Sequence, residues 1–287
     1  MTAIIMKELR TYFTQITGYI FLALTVLLTA LFFVAISVFA LNPNFQSVLG
    51  STTMLFFILV PTLTMRLFPD EIKNRTDQLL YTSPLSVWQI VAGKYIAAVI
   101  LFLIAMAVTV IFPLMLSQFG ELPVSQIVGA YVGYVMIGMG FIAIGLYVSS
   151  MTENQIIAAV ATAGIIFLLF LADTIAGGLP ADADSSLIFV GVLVAAAALF
   201  LYNSTKNVIA GIVLAVVGFG AAFGLFQLDS MMFDALIPRV FNWFSVFSRY
   251  MNLTRGILNM SDIVFYISFA LIFVYLTVNG IEKRRWR

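Results

Sequence analysis

The chain has 287 residues, of which 62% are hydrophobic and only 9% charged, with a formal net charge of +1 and a mean hydropathy of +1.10. A soluble domain of this length could not cover its surface with so few polar groups, so the composition identifies a polytopic integral membrane protein. Cysteine and histidine are both absent, which excludes disulfides, thiolate chemistry, the commonest metal ligand and the commonest general base.

Residues 3–16 precede the first long apolar run, with Ile5, Leu9, Tyr12 and Ile16 at helical spacing and Lys7, Glu8, Arg10, Thr14 and Gln15 on the other side. This pattern predicts an interfacial helix over residues 1–17 lying on the membrane surface, with Gly18 breaking its register. The apolar run that follows is too long for a signal peptide and leads straight into more membrane sequence, so it reads as a retained span.

A helical span needs about twenty apolar residues. Spans are expected near 18–41, 47–65, 95–117, 127–149, 156–173, 187–202, 208–228 and 262–281. The fold class is therefore all-α, with about 8 transmembrane helices. Only Asn203-Ser204-Thr205-Lys206-Asn207 separates the sixth and seventh, which predicts a tight helical hairpin. An N-terminus in the cytoplasm puts Lys7, Arg10, Arg66, Lys73, Arg75, Lys94, Lys206, Lys283, Arg284, Arg285 and Arg287 inside, and only Arg239, Arg249 and Arg255 outside. Both termini are then cytoplasmic and the number of spans is even: eight, or six if the sixth and seventh are lost together.

Residues 66–94 form the longest polar interruption in the first half of the chain. Asp70 and Glu71 follow Pro69, as suits a helix N-terminus, and Ile72, Thr76, Leu79 and Leu80 make a modest apolar stripe. Pro84 ends that helix, and Ser86-Val87-Trp88-Gln89 reads as a capping box opening the helix that becomes span three. Pro61 and Pro113 permit kinks in their spans, while Gly129/Gly133 and Gly220/Gly224 are small-residue pairs that allow helices of this chain to approach closely. In the external segment 229–261, Val240, Phe244, Phe247 and Met251 share one face of a helix and Asn242, Ser245, Ser248, Arg249 and Asn252 the other. Trp243 and Tyr250 add the aromatics of a membrane boundary, so a helix in the outer interface is expected, as a lid or an anchor.

No site for enzymatic chemistry is legible. Gly93-Lys94 is followed by Tyr95 and lacks the leading glycine of a phosphate-binding loop, and Asp182 and Asp184 fall in an external loop where solvated charge is the default. No catalytic, cofactor-binding or metal-binding residue is expected, and no nucleic-acid partner. An ion-coupled carrier needs ionisable groups within its spans, and the nearest here is Asp173 at the outer end of span five. The energy for any transport would then come from a soluble motor docking on the cytoplasmic loop.

The run Pro61-Thr62-Leu63-Thr64-Met65-Arg66-Leu67-Phe68, with Asp70-Glu71, Thr76 to Leu80, Ser83-Pro84-Leu85-Ser86 and Ile90-Val91-Ala92-Gly93-Lys94, resembles the ABC-2 type permeases, specifically the gliding-motility and nitrous-oxide-accessory branch. Lys7-Glu8-Leu9-Arg10-Thr11-Tyr12-Phe13 resembles that family's leading amphipathic helix, Ser149 to Gln155 its next cytoplasmic turn, and Asp262-Ile263-Val264-Phe265-Tyr266 with the basic tail its last span. The resemblance covers residues 1–170 and 245–287; residues 187–228 read as an inserted hairpin beyond a six-span plan within a single permease domain. Arg75 stands where the family usually has glycine, so a more regular turn is expected there.

The resemblance implies a permease subunit of an ATP-driven exporter in the bacterial plasma membrane. ATP and Mg would bind partner ATP-binding subunits, so no cofactor is expected in this chain. The implied partners are those cytoplasmic subunits, a second permease in a homo- or heterodimer, an accessory membrane protein with a large external domain, and the lipid bilayer. Glu71, Arg75, Asp77, Gln78, Ser83, Pro84 and Glu153 are the expected ATPase-coupling contacts. The alternatives are a non-transporting membrane scaffold and an ion-coupled secondary carrier.

Overall fold

The computed structural model describes residues 1–39, 44–76, 85–118, 122–205, 208–228, 230–256 and 259–285. All regular structure among these residues is helical. Eight helical stretches are long and apolar enough to cross a membrane: Ile16–Phe39, Phe45–Lys73, Val87–Leu116, Val124–Ser150, Gln155–Ala172, Ala183–Leu201, Gly211–Leu228 and Met260–Arg284. Each matches one expected span, and the expected sixth and seventh both stand as full-length helices.

Two compact units emerge, Met1–Phe170 with Phe247–Arg287, and Leu171–Val246. The expected 187–228 hairpin lies within the second. The first unit contains α1 (Thr2–Thr14), α2 (Ile16–Phe33, running into a π-helical turn Val34–Phe39), α3 (Phe45–Thr52), α4 (Phe56–Thr64), α5 (Pro69–Lys73), α6 (Val87–Thr109), α7 (Ile111–Leu116) and α8 (Val124–Ser150). It also takes the first part of α9 (Gln155–Gly178) and all of the last long helix, described below.

In lipid the tails outside are as apolar as the side chains within, so helices associate through close packing and polar contacts. The fourth span, α8, is the centre of that packing, with 67% of its most apolar stretch buried. Tyr134 and Phe141 on α8 meet Phe56 on α4 at ring-centroid distances of 4.6 and 5.5 Å, and Phe56 meets Phe102 on α6 at 6.0 Å. Such aromatic pairs contribute about 0.5–1.5 kcal/mol each beyond their contact area. The hydroxyls of Thr25, Thr29, Thr64 and Thr109 bond backbone carbonyls of their own helices, which lets them sit inside without unmet polar groups.

The two prolines act differently. Pro61 sits inside α4, which continues a 3-10 turn, Thr53–Leu55, and runs on past the proline to Thr64. Before Pro113 the third span breaks at Val110 between α6 and α7, where the ring would clash with the carbonyl four residues back.

The second unit holds α10 (Ala183–Thr205), α11 (Val208–Leu228), a 3-10 turn at Ser230–Phe233 and α12 (Leu236–Phe244). Asp182 caps α10 by accepting from the Ser185 backbone N–H at 3.1 Å, and hydrogen bonding by the Ser185 side chain, with that of the backbone, holds its carboxyl below its ordinary value. The chain returns to the first unit through α13 (Val246–Thr254) and α14 (Met260–Arg285).

The glycine pairs part company. A Cβ on Gly129 would lie 2.3 Å from the Leu253 carbonyl oxygen, and one on Gly133 would lie 2.9 Å from the Tyr250 ring, so this pair seats α13 against α8 as expected. Around Gly220 and Gly224 there is open space instead. The α10–α11 contact uses a different face of α11, with Gly218 against Val194 and Phe219 against Gly191, because spacing alone does not say which side of a helix meets its neighbour.

The external segment also departs from expectation. It is two short helices rather than one, and the break at Ser245 changes the register on which a continuous face depended. Met251 is 53% exposed, while Val246, Phe247, Tyr250 and Leu253 form the buried face of α13. Tyr250 therefore faces the protein interior rather than lipid or water. Arg249 bonds the buried Asp262 at 2.9 Å and lies 4.2 Å from the centre of the Phe265 ring. The Asp173 side chain lies outside the described residues, although its backbone belongs to α9.

Candidate functional site

At the end of the first unit that the charge bias assigns to the cytoplasm, α1, α5 and α6 converge on one lysine. The chain reaches this arrangement through Gln15, whose extended backbone (φ −97°, ψ 156°) separates α1 from α2. The break thus comes at Gln15 and not at Gly18; Gly18 lets α2 pass within 2.3 Å, measured from an added Cβ, of the Tyr12 carbonyl. Tyr12 then donates from its hydroxyl to the Leu63 carbonyl at 3.0 Å, tying α1 to the end of α4.

The face that α1 buries is Ile4, Glu8 and Tyr12. Ile5 and Leu9 are only half-buried and Ile16 is 74% exposed, so the expected apolar stripe is displaced by one position. The reason is electrostatic. The stripe assumed that Glu8 faces water, whereas Glu8 turns inward to Lys94.

Lys94 is 1% exposed. Its ammonium donates to Glu8 Oε1 at 2.9 Å and to the Leu67 carbonyl at 2.6 Å, and pairs with Glu71 Oε2 at 2.9 Å, which engages all three of its protons. The Phe68 ring centre lies 5.1 Å away. On the wetter side, Lys7 donates to Glu71 Oε1 at 2.8 Å and sits 3.6 Å from Glu8. Two lysines and two glutamates cancel in charge, so the cluster meets the condition for burying an ammonium: opposite charges and a carbonyl arranged around it. Desolvation pulls the Lys7 pKa down, but the hydrogen bond and charge of Glu71, with the charge of Glu8, outweigh it and leave Lys7 above its ordinary value. A polar cavity of about 190 Å³ opens beside the cluster, lined among others by Thr11, Gln15, Arg66, Asp70 and Asn74.

Helix α5 is shorter than expected. It starts with Pro69, Asp70 and Glu71 as the sequence suggests, yet ends at Lys73. The Thr76 N–H reaches the Glu71 carbonyl at 2.9 Å and the Arg75 N–H reaches the Ile72 carbonyl at 3.1 Å, a Schellman ending with Arg75 in the left-handed region at φ 57°. The turn at Arg75 is thus not more regular than a glycine would make it; arginine adopts the glycine conformation. Thr76 lies beyond the helix and is exposed, so it is not part of a buried stripe. Leu79 and Leu80 lie outside the described residues. The capping box forms as expected: Ser86 Oγ accepts from the Gln89 N–H and Gln89 Oε1 from the Ser86 N–H, both at 3.3 Å.

The expected contact residues fall into three groups. Glu71 is engaged within the chain by Lys7 and Lys94, with a side chain 14% exposed. Arg75 is exposed beside it, and Glu153 is exposed in the turn between α8 and α9. Asp77, Gln78, Ser83 and Pro84 lie outside the described residues. Asp70 accepts a hydrogen bond from the Gln155 side chain, which brings the two turns together. Reading the sequence missed Lys94, Glu8 and Gln155. The available signal was a lysine in the apolar first turns of a long helix, with a carboxylate at the centre of an i, i+4 series on α1.

Residues 39–191, more than half of the chain, match the family model described as ABC-2 family transporter protein. The chain belongs to the ABC-2 transporter family. It is accordingly a multi-pass membrane protein and a permease subunit of an ABC transporter, a kind of subunit that associates with ABC ATP-binding subunits. The match to the ABC-2 family takes in the whole of α5 and the turn before α9, and runs into the first part of α10. A search of curated proteins finds no match to this ABC-2 permease.

Proposed function

We propose that this ABC-2 permease is the membrane subunit of an ATP-driven exporter in the bacterial plasma membrane, of the gliding-motility and nitrous-oxide-accessory branch. Separate cytoplasmic subunits bind ATP and Mg and dock at residues 70–86 and at the turn bearing Glu153. A second permease, identical or related, completes the path, with an accessory membrane protein carrying a large external domain.

The observation that carries this reading is the Lys94 cluster. It joins α1, α5 and α6 through Glu8, Glu71 and Leu67, so a push on α5 is delivered to the helix entering span three and to α1 together. In this reading Glu71 holds α5 in place, while Arg75 and Glu153 present exposed charge to the ATPase. Asp77, Gln78, Ser83 and Pro84 complete the proposed contact set.

The test is to purify the chain with its genomic neighbours' products and identify the co-purifying subunits, assaying ATP turnover in lipid. Recovery of an ATPase that is lost on combined charge reversal at Arg75 and Glu153 supports the docking site. A preparation without ATPase or turnover supports a scaffold, and response to an imposed ion gradient supports a secondary carrier.

A further inference from the structure

Helices α8 and α14 run side by side in the same direction, closely packed over most of their length. A Cβ on Gly140 would lie 3.0 Å from Phe269, and Tyr147 meets Phe273 edge-on at 6.0 Å. Below Tyr147 they separate and enclose a cavity of about 790 Å³. At the end of α8 it is walled by Tyr147 and by Met151, the residue that follows the helix. From α14 it takes Leu276, then Asn279 and Gly280, then Lys283 and Arg284, with Glu282 also in the lining.

These α14 positions recur at three- and four-residue intervals and so share one helix face. Along that face the chemistry is graded, from apolar at Leu276 through a carboxamide at Asn279 to two cations at Lys283 and Arg284. The gradient runs over eight residue steps of helix, about 12 Å. The cations end the span on the side the charge bias assigns to the cytoplasm, where headgroups lie.

We propose that this cavity is a binding site for one monoanionic phospholipid of the inner leaflet, a phosphatidylglycerol-like lipid. The acyl chain lies against Tyr147, Met151 and Leu276, the Asn279 carboxamide bonds the ester region, and Lys283 and Arg284 hold the phosphate. Basic pockets between spans on the cytoplasmic side have the chemistry that anionic headgroups require. Glu282 sets the charge balance: two cations and one carboxylate leave +1, which matches a single phosphodiester. The apolar wall distinguishes the site from one for a free phosphate. Occupancy would brace α14 against α8 where protein contacts are sparse.

Gly280 supplies the means of testing this, because a Cβ there meets nothing within 4 Å and a larger side chain grows into the cavity rather than into protein. Native mass spectrometry of the purified full chain, offered phosphatidylglycerol, phosphatidylethanolamine and phosphatidylcholine at equal concentrations, should show phosphatidylglycerol retained about fivefold or more over the others. That factor is what about one cation contact contributes at a membrane surface. Gly280→Trp and the pair Lys283→Gln with Arg284→Gln should each abolish the preference, while Gly280→Ala keeps it. Should Gly280→Trp fail to give a monodisperse protein, Gly280→Leu tests the same point. Equal retention of the three lipids, a preference that survives both the Gly280 block and the charge removal, or displacement of phosphatidylglycerol by glycerol 3-phosphate alone would each overturn the proposal.

Discussion

Replacing Lys94 with methionine keeps the side-chain length and removes the charge at the centre of the α1–α5–α6 junction. Two carboxylates, each 2.9 Å from the lost ammonium, would then face one another with only Lys7 between them. Removing one member of a buried pair costs about 3–5 kcal/mol, because the charge left behind is desolvated and unpaired. Lys7 still contacts Glu71 at 2.8 Å and Glu8 at 3.6 Å, but its side chain is 53% exposed and solvent screens it. The lower end, about 3 kcal/mol, is the expected loss after that compensation. Thermal unfolding in detergent, followed by intrinsic fluorescence, should show Lys94→Met melting about 6 °C or more below the parent. Adding Glu8→Gln and Glu71→Gln to Lys94→Met removes the stranded charges and should recover most of that loss. If Lys94→Met melts with the parent, or if the three changes together are worse than the one, the cluster is not held by charge and the coupling argument fails with it.

Arg75→Gly should stabilise the chain by about 1 kcal/mol, since arginine at φ 57° bears a steric cost that glycine does not, and a raised melting temperature checks it. Gly129→Ala should destabilise by about 1–3 kcal/mol through its clash with the Leu253 carbonyl, whereas Gly220→Ala and Gly224→Ala, with nothing to strike, should leave stability equal or slightly higher. Paired melting curves distinguish the two outcomes. Because the folded-state pKa of Lys7 is raised above its ordinary 10.5, its contribution is complete below 10.5 and lost only as the pH climbs through the higher folded value. The stability difference between the parent and Lys7→Met should accordingly stay constant from pH 6 to 9 and shrink only above about 10.5.

Span number and extent were legible because a helix crossing lipid must be apolar for about twenty residues whatever its neighbours do. The capping box at Ser86 and Gln89 and the helix start at Asp70 and Glu71 were equally plain, being interactions among residues three or four apart. Orientation rests on lysine and arginine counts alone. What failed to show in the sequence is which face of a helix meets which neighbour. Glu8 looks solvated until Lys94, eighty-six residues away in sequence, is brought to 2.9 Å. Gly129/Gly133 and Gly220/Gly224 are the same motif, yet only the first has a partner against it. Met251 and Tyr250 exchange their expected places because the external helix breaks at Ser245. Arg75 resisted for a different reason: its left-handed turn is imposed by the Schellman hydrogen bonds to α5, which overcome its own preference. The length of each apolar run thus determined which segments enter the membrane, since that depends only on each segment's transfer into lipid. Which face of each helix turns inward was decided by the tertiary structure, since in lipid that choice depends on the charge, hydrogen bond or close-fitting surface that another helix offers.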